Sequence, residues 1–151
     1  MNACQDTITL YNGVEIPCLG LGTYQSPDAV ASAAVKSAME LGYRLIDTAA
    51  AYGNERGVGQ GIRISGVPRE EIFVTSKLRN AAHGYKSTLE AFEMTLDKLG
   101  LRYLDLYLIH WPVAEAFEES WMELEKLYHE GRVRAIGVSN FQVRHLETIL
   151  K

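Results

Sequence analysis

A regular alternation of two hydrophobic periods runs along the 151 residues of this chain and leaves it few possible folds. Short runs rich in Ile, Val, Leu and Phe stand at 44–47, 72–75, 103–109 and 133–138. Between them lie segments with apolar residues at helical spacing. One opens at Pro27-Asp28, carries Val30, Ala33, Ala34, Val35, Ala38 and Met39, and closes at Gly42. The next starts at Asn54, which reads as an N-cap, and runs to about Ser65-Gly66. A third places Leu89, Phe92, Leu96 and Leu99 on one stripe before Gly100. Two more occupy 117–129, closed by Gly131, and 143–150. A short apolar run at 18–22 adds one further strand ahead of them, giving five strand–helix units. Strands that alternate with helices imply a parallel sheet wrapped by helices. At the N-terminus, Asn12-Gly13 predicts a tight turn joining 7–10 to 14–16 as a β-hairpin. No linker, low-complexity tract or solenoid repeat interrupts the pattern, so residues 1–151 read as a single α/β domain.

Composition excludes several classes of function. Hydrophobic residues make up 47% and charged residues 23%, which fits a globular chain and not a disordered one. A net charge of -4 argues against a nucleic-acid partner, which would call for a basic surface. No apolar stretch approaches the roughly 18 residues of a membrane span. Residues 1–10 lack the basic and apolar regions of a signal peptide. Cys4 and Cys18 have no metal-type spacing and read as free thiols, so a cytoplasmic location without a bound metal is expected.

Four ionisable residues fall at or just beyond the ends of successive strands: Asp47, Tyr52, Lys77 and His110. In a barrel of parallel strands, that edge is where the loops converge and active sites form. Free tyrosine, with a pKa of about 10, is a weak proton donor at neutral pH. A neighbouring ammonium stabilises its phenolate, and a carboxylate behind the ammonium holds that charge in place. Such a tyrosine could protonate a carbonyl oxygen as it becomes an alkoxide. Each residue also has a plainer reading. Tyr52 could pack a loop, Lys77 could be solvated, Asp47 could cap a turn, and His110 could be a core histidine.

The glycine clusters are not phosphate cradles. Gly20-Leu21-Gly22 lacks the third glycine of a dinucleotide fingerprint, and Gly57-Val58-Gly59-Gln60-Gly61 lacks the Lys-Ser/Thr sequel of a P-loop. The second cluster reads as helix surface.

Three long segments resemble signatures of the aldo-keto reductase family. They are Gly42-Tyr43-Arg44-Leu45-Ile46-Asp47-Thr48-Ala49-Ala50-Ala51-Tyr52-Gly53-Asn54-Glu55 with Val58-Gly59, then Leu106-Tyr107-Leu108-Ile109-His110-Trp111-Pro112, then Gly131-Arg132-Val133-Arg134-Ala135-Ile136-Gly137-Val138-Ser139-Asn140-Phe141. Phe73-Val74-Thr75-Ser76-Lys77 resembles the family's lysine-bearing strand. The resemblance implies a TIM (β/α)₈-barrel enzyme that reduces aldehydes or ketones with NADPH. It implies Tyr52 as general acid, Lys77 and Asp47 as its tuning pair, and His110 as the residue that orients the carbonyl. It further places Gly22, Thr23, Tyr24, Asp47, Ser139 and Asn140 around the nicotinamide and ribose, and Tyr24 and Trp111 in the substrate wall. For Ser139-Asn140 the plainer alternative is strand-end turn chemistry, and for Trp111 core packing. One departure stands out: where the family often has an aromatic two residues after the lysine, this chain has Arg79.

A complete barrel of this type takes roughly 250 residues. The chain holds about five of its eight βα units, so the resemblance implies a truncated barrel. In the family, the later units supply the residue that stacks on the nicotinamide and the groups that grip the 2′-phosphate. The run 104–109 is apolar on both faces, as a closed barrel requires. An open one would expose that interior and two sheet edges. Self-association or a complementary fragment is the expected remedy. The competing readings are a non-catalytic half-barrel subunit, an inactive fragment of such a reductase, and a barrel with unrelated chemistry.

Overall fold

In the computed structural model, which describes residues 6–151, the Asn12-Gly13 turn forms as expected. Strands β1 (Thr7–Thr9) and β2 (Glu15–Pro17) pair antiparallel, with Ile8 opposite Ile16. Gly13 takes φ 83°, where a residue with a Cβ is strained, and its N–H donates to Leu10 O at 2.9 Å. The Asn12 side chain reaches Arg134 O at 3.0 Å and fastens the hairpin to the last strand of the main sheet. Cys18 is exposed with a free thiol, while Cys4 lies outside the described residues.

The main sheet has five parallel strands in chain order: β3 (Leu21–Gly22), β4 (Leu45–Asp47), β5 (Phe73–Leu78), β6 (Leu104–Ile109) and β7 (Val133–Val138). Helices α1 (Asp28–Glu40), α2 (Glu55–Ser65), α3 (Tyr85–Leu99), α4 (Phe117–His129) and α5 (Val143–Ile149) follow the successive strands. This is the expected partial (β/α) barrel. β3 is shorter than the run at 18–22 predicts, because only Leu21 and Gly22 join the ladder, opposite Ile46 and Asp47.

Alternation along the strands sorts the side chains. Ile46, Val74, Leu78, Tyr107 and Ile109 are buried in the core shared with the helices. Leu106 and Leu108, paired across the ladder with Thr75 and Lys77, share the other face and are only half-buried. At the N-terminal end of the sheet the buried Asp105 accepts from Arg69 at 2.7 Å, Arg134 at 2.8 Å and Val74 N–H at 2.9 Å. That clasp ties three strands at the end away from the loops that follow them.

Two helix readings need correction. In α1 the buried stripe is Ala31, Ser32, Val35, Ala38 and Met39, while Val30 and Ala33 face solvent. More consequentially, Gly57, Gly59 and Gly61 are not helix surface; all three are buried. A Cβ at Gly57 would lie 2.2 Å from Asp28 O, one at Gly59 2.1 Å from Leu99 O, and one at Gly61 2.7 Å from Ser32 O. Glycine lets α2 sit on the backbone of α1 on one side and of α3 on the other. The N-terminus of α2 is served from α1: Gly57 N–H donates to the Asp28 carboxylate at 2.8 Å.

Glu55, in the first turn of α2, is 2% exposed. Ser76 Oγ donates to its Oε1 at 2.7 Å, whereas Oε2, Thr95 Oγ1 and Tyr107 Oη are buried without partners among the described residues. Burial pushes the Glu55 carboxyl up, and the Ser76 hydrogen bond only partly opposes this. A group whose pKa is raised on folding stabilises the fold below its unfolded pKa, and that contribution is lost as pH climbs through the folded value. Glu55→Gln keeps the Ser76 bond and supplies an amide donor to the unpartnered oxygens. The substitution is expected to stabilise the chain at neutral pH by about 1–3 kcal/mol, the cost of an unsatisfied buried polar atom. The gain should disappear toward acid pH. Urea unfolding across the pH range checks this, and a variant less stable than wild type at neutral pH would contradict it.

Candidate active site

The loops at the C-terminal ends of the strands bring the predicted quartet together. Lys77 is the last residue but one of β5, a strand whose six residues are all buried, and its own exposure is 6%. The plain expectation of a solvated lysine therefore fails, and the chain satisfies the buried ammonium with oxygens. Lys77 Nζ donates to both carboxylate oxygens of Asp47, at 2.9 Å for Oδ2, and to Thr48 O at 3.0 Å. It also reaches Tyr52 Oη at 3.4 Å. Asp47 sits at the end of β4 with its side chain 39% exposed, so it offers the site a negative charge that is only partly desolvated.

Tyr52 is delivered by a short 3₁₀ turn, Ala50–Tyr52, whose last carbonyl-to-amide link closes on Gly53 at φ 69°. Its ring lies 5.8 Å from that of His110 at 76°, and 5.1 Å from that of Tyr24 at 57°. Burial, and then the positive charge of Lys77, hold the His110 imidazole below its ordinary range, with Asp47 opposing. At neutral pH His110 is thus an uncharged ring that can donate one hydrogen bond.

The remaining predicted residues surround this group. Gly22 pairs with Asp47, and a Cβ there would meet nothing within 4 Å, so space beside Asp47 is open. Thr23 donates to Asp47 O through its N–H at 3.0 Å and its hydroxyl at 3.2 Å. Ser139 N–H donates to Ile109 O at 2.8 Å. Asn140 takes φ 61°, and its amide donates to His110 O at 2.9 Å and Ser139 Oγ at 3.0 Å. Strand-end turn chemistry therefore holds for this pair, and the turn it builds supports the His110 backbone. Trp111 is half-exposed on the rim of a neighbouring cleft with Pro112, Phe117, Asn140 and His145, which argues against the core-packing alternative. Arg79 turns to the outside, lining a cleft of about 210 Å³ with Glu55, Met94 and Lys98, away from the quartet.

One contributor is misread in the sequence. Asn54 stands at the N-cap position of α2 but makes no capping bond; its buried side chain binds the loop that carries Tyr24. The signal available in the sequence was its place two residues after Tyr52, inside the longest signature.

Tyr52, Lys77, Asp47 and His110 thus form a phenol in contact with a carboxylate-bound ammonium, with an imidazole ring beside it. The family model described as "Aldo/keto reductase family" matches residues 18–151. The chain belongs to the aldo-keto reductase family. It is 57% identical over 148 residues to glyoxal reductase of Bacillus subtilis, covering 97% of this chain and 54% of that protein. A crystal structure of an aldo/keto reductase from Brucella melitensis superposes with a TM-score of 0.93 at 50% identity, covering 96% of this chain and 56% of that one. A Bombyx mori aldo-keto reductase in complex with NADP superposes at 0.89 with 41% identity, covering 96% of this chain and 53% of that one. The chain thus spans about half the length of the aldo-keto reductases it matches. Among the described residues, no helix is long and apolar enough to cross a membrane.

Proposed function

We propose that this chain carries the acid–base half of an NADPH-dependent reductase that converts aldehydes or ketones to alcohols. The observation that carries the reading is the contact of Tyr52 Oη with a buried ammonium that Asp47 and Thr48 hold in place. The open space at Gly22, the half-exposed Asp47 carboxylate and the polar pair Ser139-Asn140 fit the nicotinamide end of the cofactor. When bound there, NADPH would supply a hydride to the carbonyl carbon and be left as NADP⁺. Neutral His110 donates a hydrogen bond to the carbonyl oxygen and fixes its direction. Tyr52 gives its proton to that oxygen as negative charge develops there, and the Lys77 ammonium stabilises the phenolate left behind. Solvent then returns the proton to Tyr52. Tyr24 and Trp111 are the aromatic groups placed to border a substrate.

The test is loss of NADPH absorbance with a reactive aromatic aldehyde, for wild type beside Tyr52→Phe. General-acid catalysis contributes about 10²–10⁴-fold, so the variant should be slower by that factor. Equal rates would overturn the role of Tyr52.

The half-buried Leu106 and Leu108 on the face opposite the helices favour a second statement about how the activity is reached. The chain works with that face covered by a complementary α/β segment that continues the sheet from β7. Chromatography coupled to light scattering tests it: a well-folded, active monomer alone would contradict it, and a homodimer would replace the complementary segment with a second copy.

A further inference from the structure

We infer that Asn54 is a positioning residue for this site: its carboxamide fixes the turn over residues 23–26, and with it Tyr24, against Tyr52. The inference rests on the reading of Tyr52 as the acid. It starts from a mismatch between place and contact. Asn54 occupies the position of a helix cap, yet its side chain is 1% exposed and points away from the helix it precedes.

Its Nδ2 donates to Thr23 O at 2.7 Å and to Ser26 O at 2.8 Å. These carbonyls are the two ends of a tight turn, closed by Ser26 N–H donating to Thr23 O at 3.2 Å. Gln25, at its corner, sits at φ 60°, a conformation that a residue other than glycine keeps only when its surroundings enforce it. Two carbonyl oxygens converging on one point repel unless a group with two protons lies between them, and a primary amide supplies both. Thr48 Oγ1 donates to Asn54 Oδ1 at 3.1 Å, which orients the amide with its NH₂ toward the turn. One side chain therefore joins the loop after β3, the loop after β4 and the segment leaving Tyr52.

What the turn presents is Tyr24, which is 66% exposed and lies tilted against the Tyr52 ring at 5.1 Å. So exposed a side chain depends on the backbone beneath it for its place. Aspartate has the shape of asparagine and neither proton, so Asn54→Asp sets a carboxylate against two carbonyls. Thr48→Val leaves the amide but removes the group that orients it.

The experiment follows amide hydrogen exchange and steady-state kinetics in the protein, with NADPH and an aromatic aldehyde. In Asn54→Asp the Ser26 amide should exchange about tenfold faster, the effect of losing two modest hydrogen bonds. Amides of β6 should keep their protection. KM for the aldehyde should rise about tenfold with a smaller change in kcat, because the Lys77–Tyr52 contact does not run through Asn54. Thr48→Val should shift both readouts in the same direction and by less, and it carries the test if the aspartate variant does not fold. Unchanged Ser26 exchange, or a KM equal to that of wild type, would overturn the inference. Tyr52→Phe separates it from the reading beneath it. That variant should keep Ser26 protection while losing turnover, and if it stays active the acid assignment falls while the exchange result still decides Asn54.

Discussion

Lys77→Met is expected to slow carbonyl reduction by about 10²–10⁴-fold, the range that general-acid catalysis contributes. On the proposed reading Tyr52 is the acid, and an acid gives up its proton only if something stabilises the charge it keeps. In this site the group in position to do so is the ammonium 3.4 Å from its oxygen. Methionine retains much of the aliphatic stem, and the partner left behind, Asp47, is 39% exposed and can be solvated. Loss of activity without loss of fold is therefore the expected outcome. A second readout does not depend on turnover. The positive charge of Lys77 helps hold His110 below its ordinary range, while Asp47 pulls the other way. Without Lys77, the imidazole should take up its proton at a higher pH, visible as a shifted titration of its ring proton resonances. Wild-type rates, or a His110 titration that does not move, would show that Lys77 is not electrically coupled to the site.

Gly59→Ala is expected to cost about 3 kcal/mol or more, at the upper end of what overpacking a core costs. The added carbon would lie 2.1 Å from the carbonyl oxygen of Leu99, and a backbone oxygen at the end of α3 cannot rotate out of the way. The sign of this effect decides between two pictures of α2. On an exposed helix face, glycine to alanine stabilises by about 0.5–1 kcal/mol through helix propensity. Gly66→Ala serves as a control, since a Cβ there meets nothing and only the left-handed φ of 71° opposes it. About 1–2 kcal/mol is expected at that position. Denaturant unfolding of both variants measures the difference, and a stabilised Gly59→Ala would refute close packing of α2 on α3.

Much of the architecture is legible in the amino-acid sequence. The alternation of strand and helix periods announced five parallel strands, and the Asn12-Gly13 turn announced the hairpin, because both signals are local. The aldo-keto reductase signatures pointed to Asp47, Tyr52, Lys77 and His110, and the fold gathers these four at one end of the sheet. The errors share a cause. Val30 and Ala33 were apolar enough to suggest a buried stripe, yet the neighbour they would pack against lies on another side of α1. Three glycines in one helix looked like a loose surface because their purpose is set by Asp28, Ser32 and Leu99, residues remote in sequence.

Asn54 makes the same point at the site. The sequence placed it beside a helix start, where asparagine commonly caps, and its real partners lie on the loops after β3 and β4. The order of the elements and the family follow from short-range periodicity and contiguous motifs, and the same motifs single out the candidate site residues. Which helix faces touch, how the buried ammonium of Lys77 is satisfied, and which loops Asn54 joins are settled only in the folded chain. Those are matters of distance between segments far apart along the chain. Packing and hydrogen-bond satisfaction fix them only once the strands stand side by side.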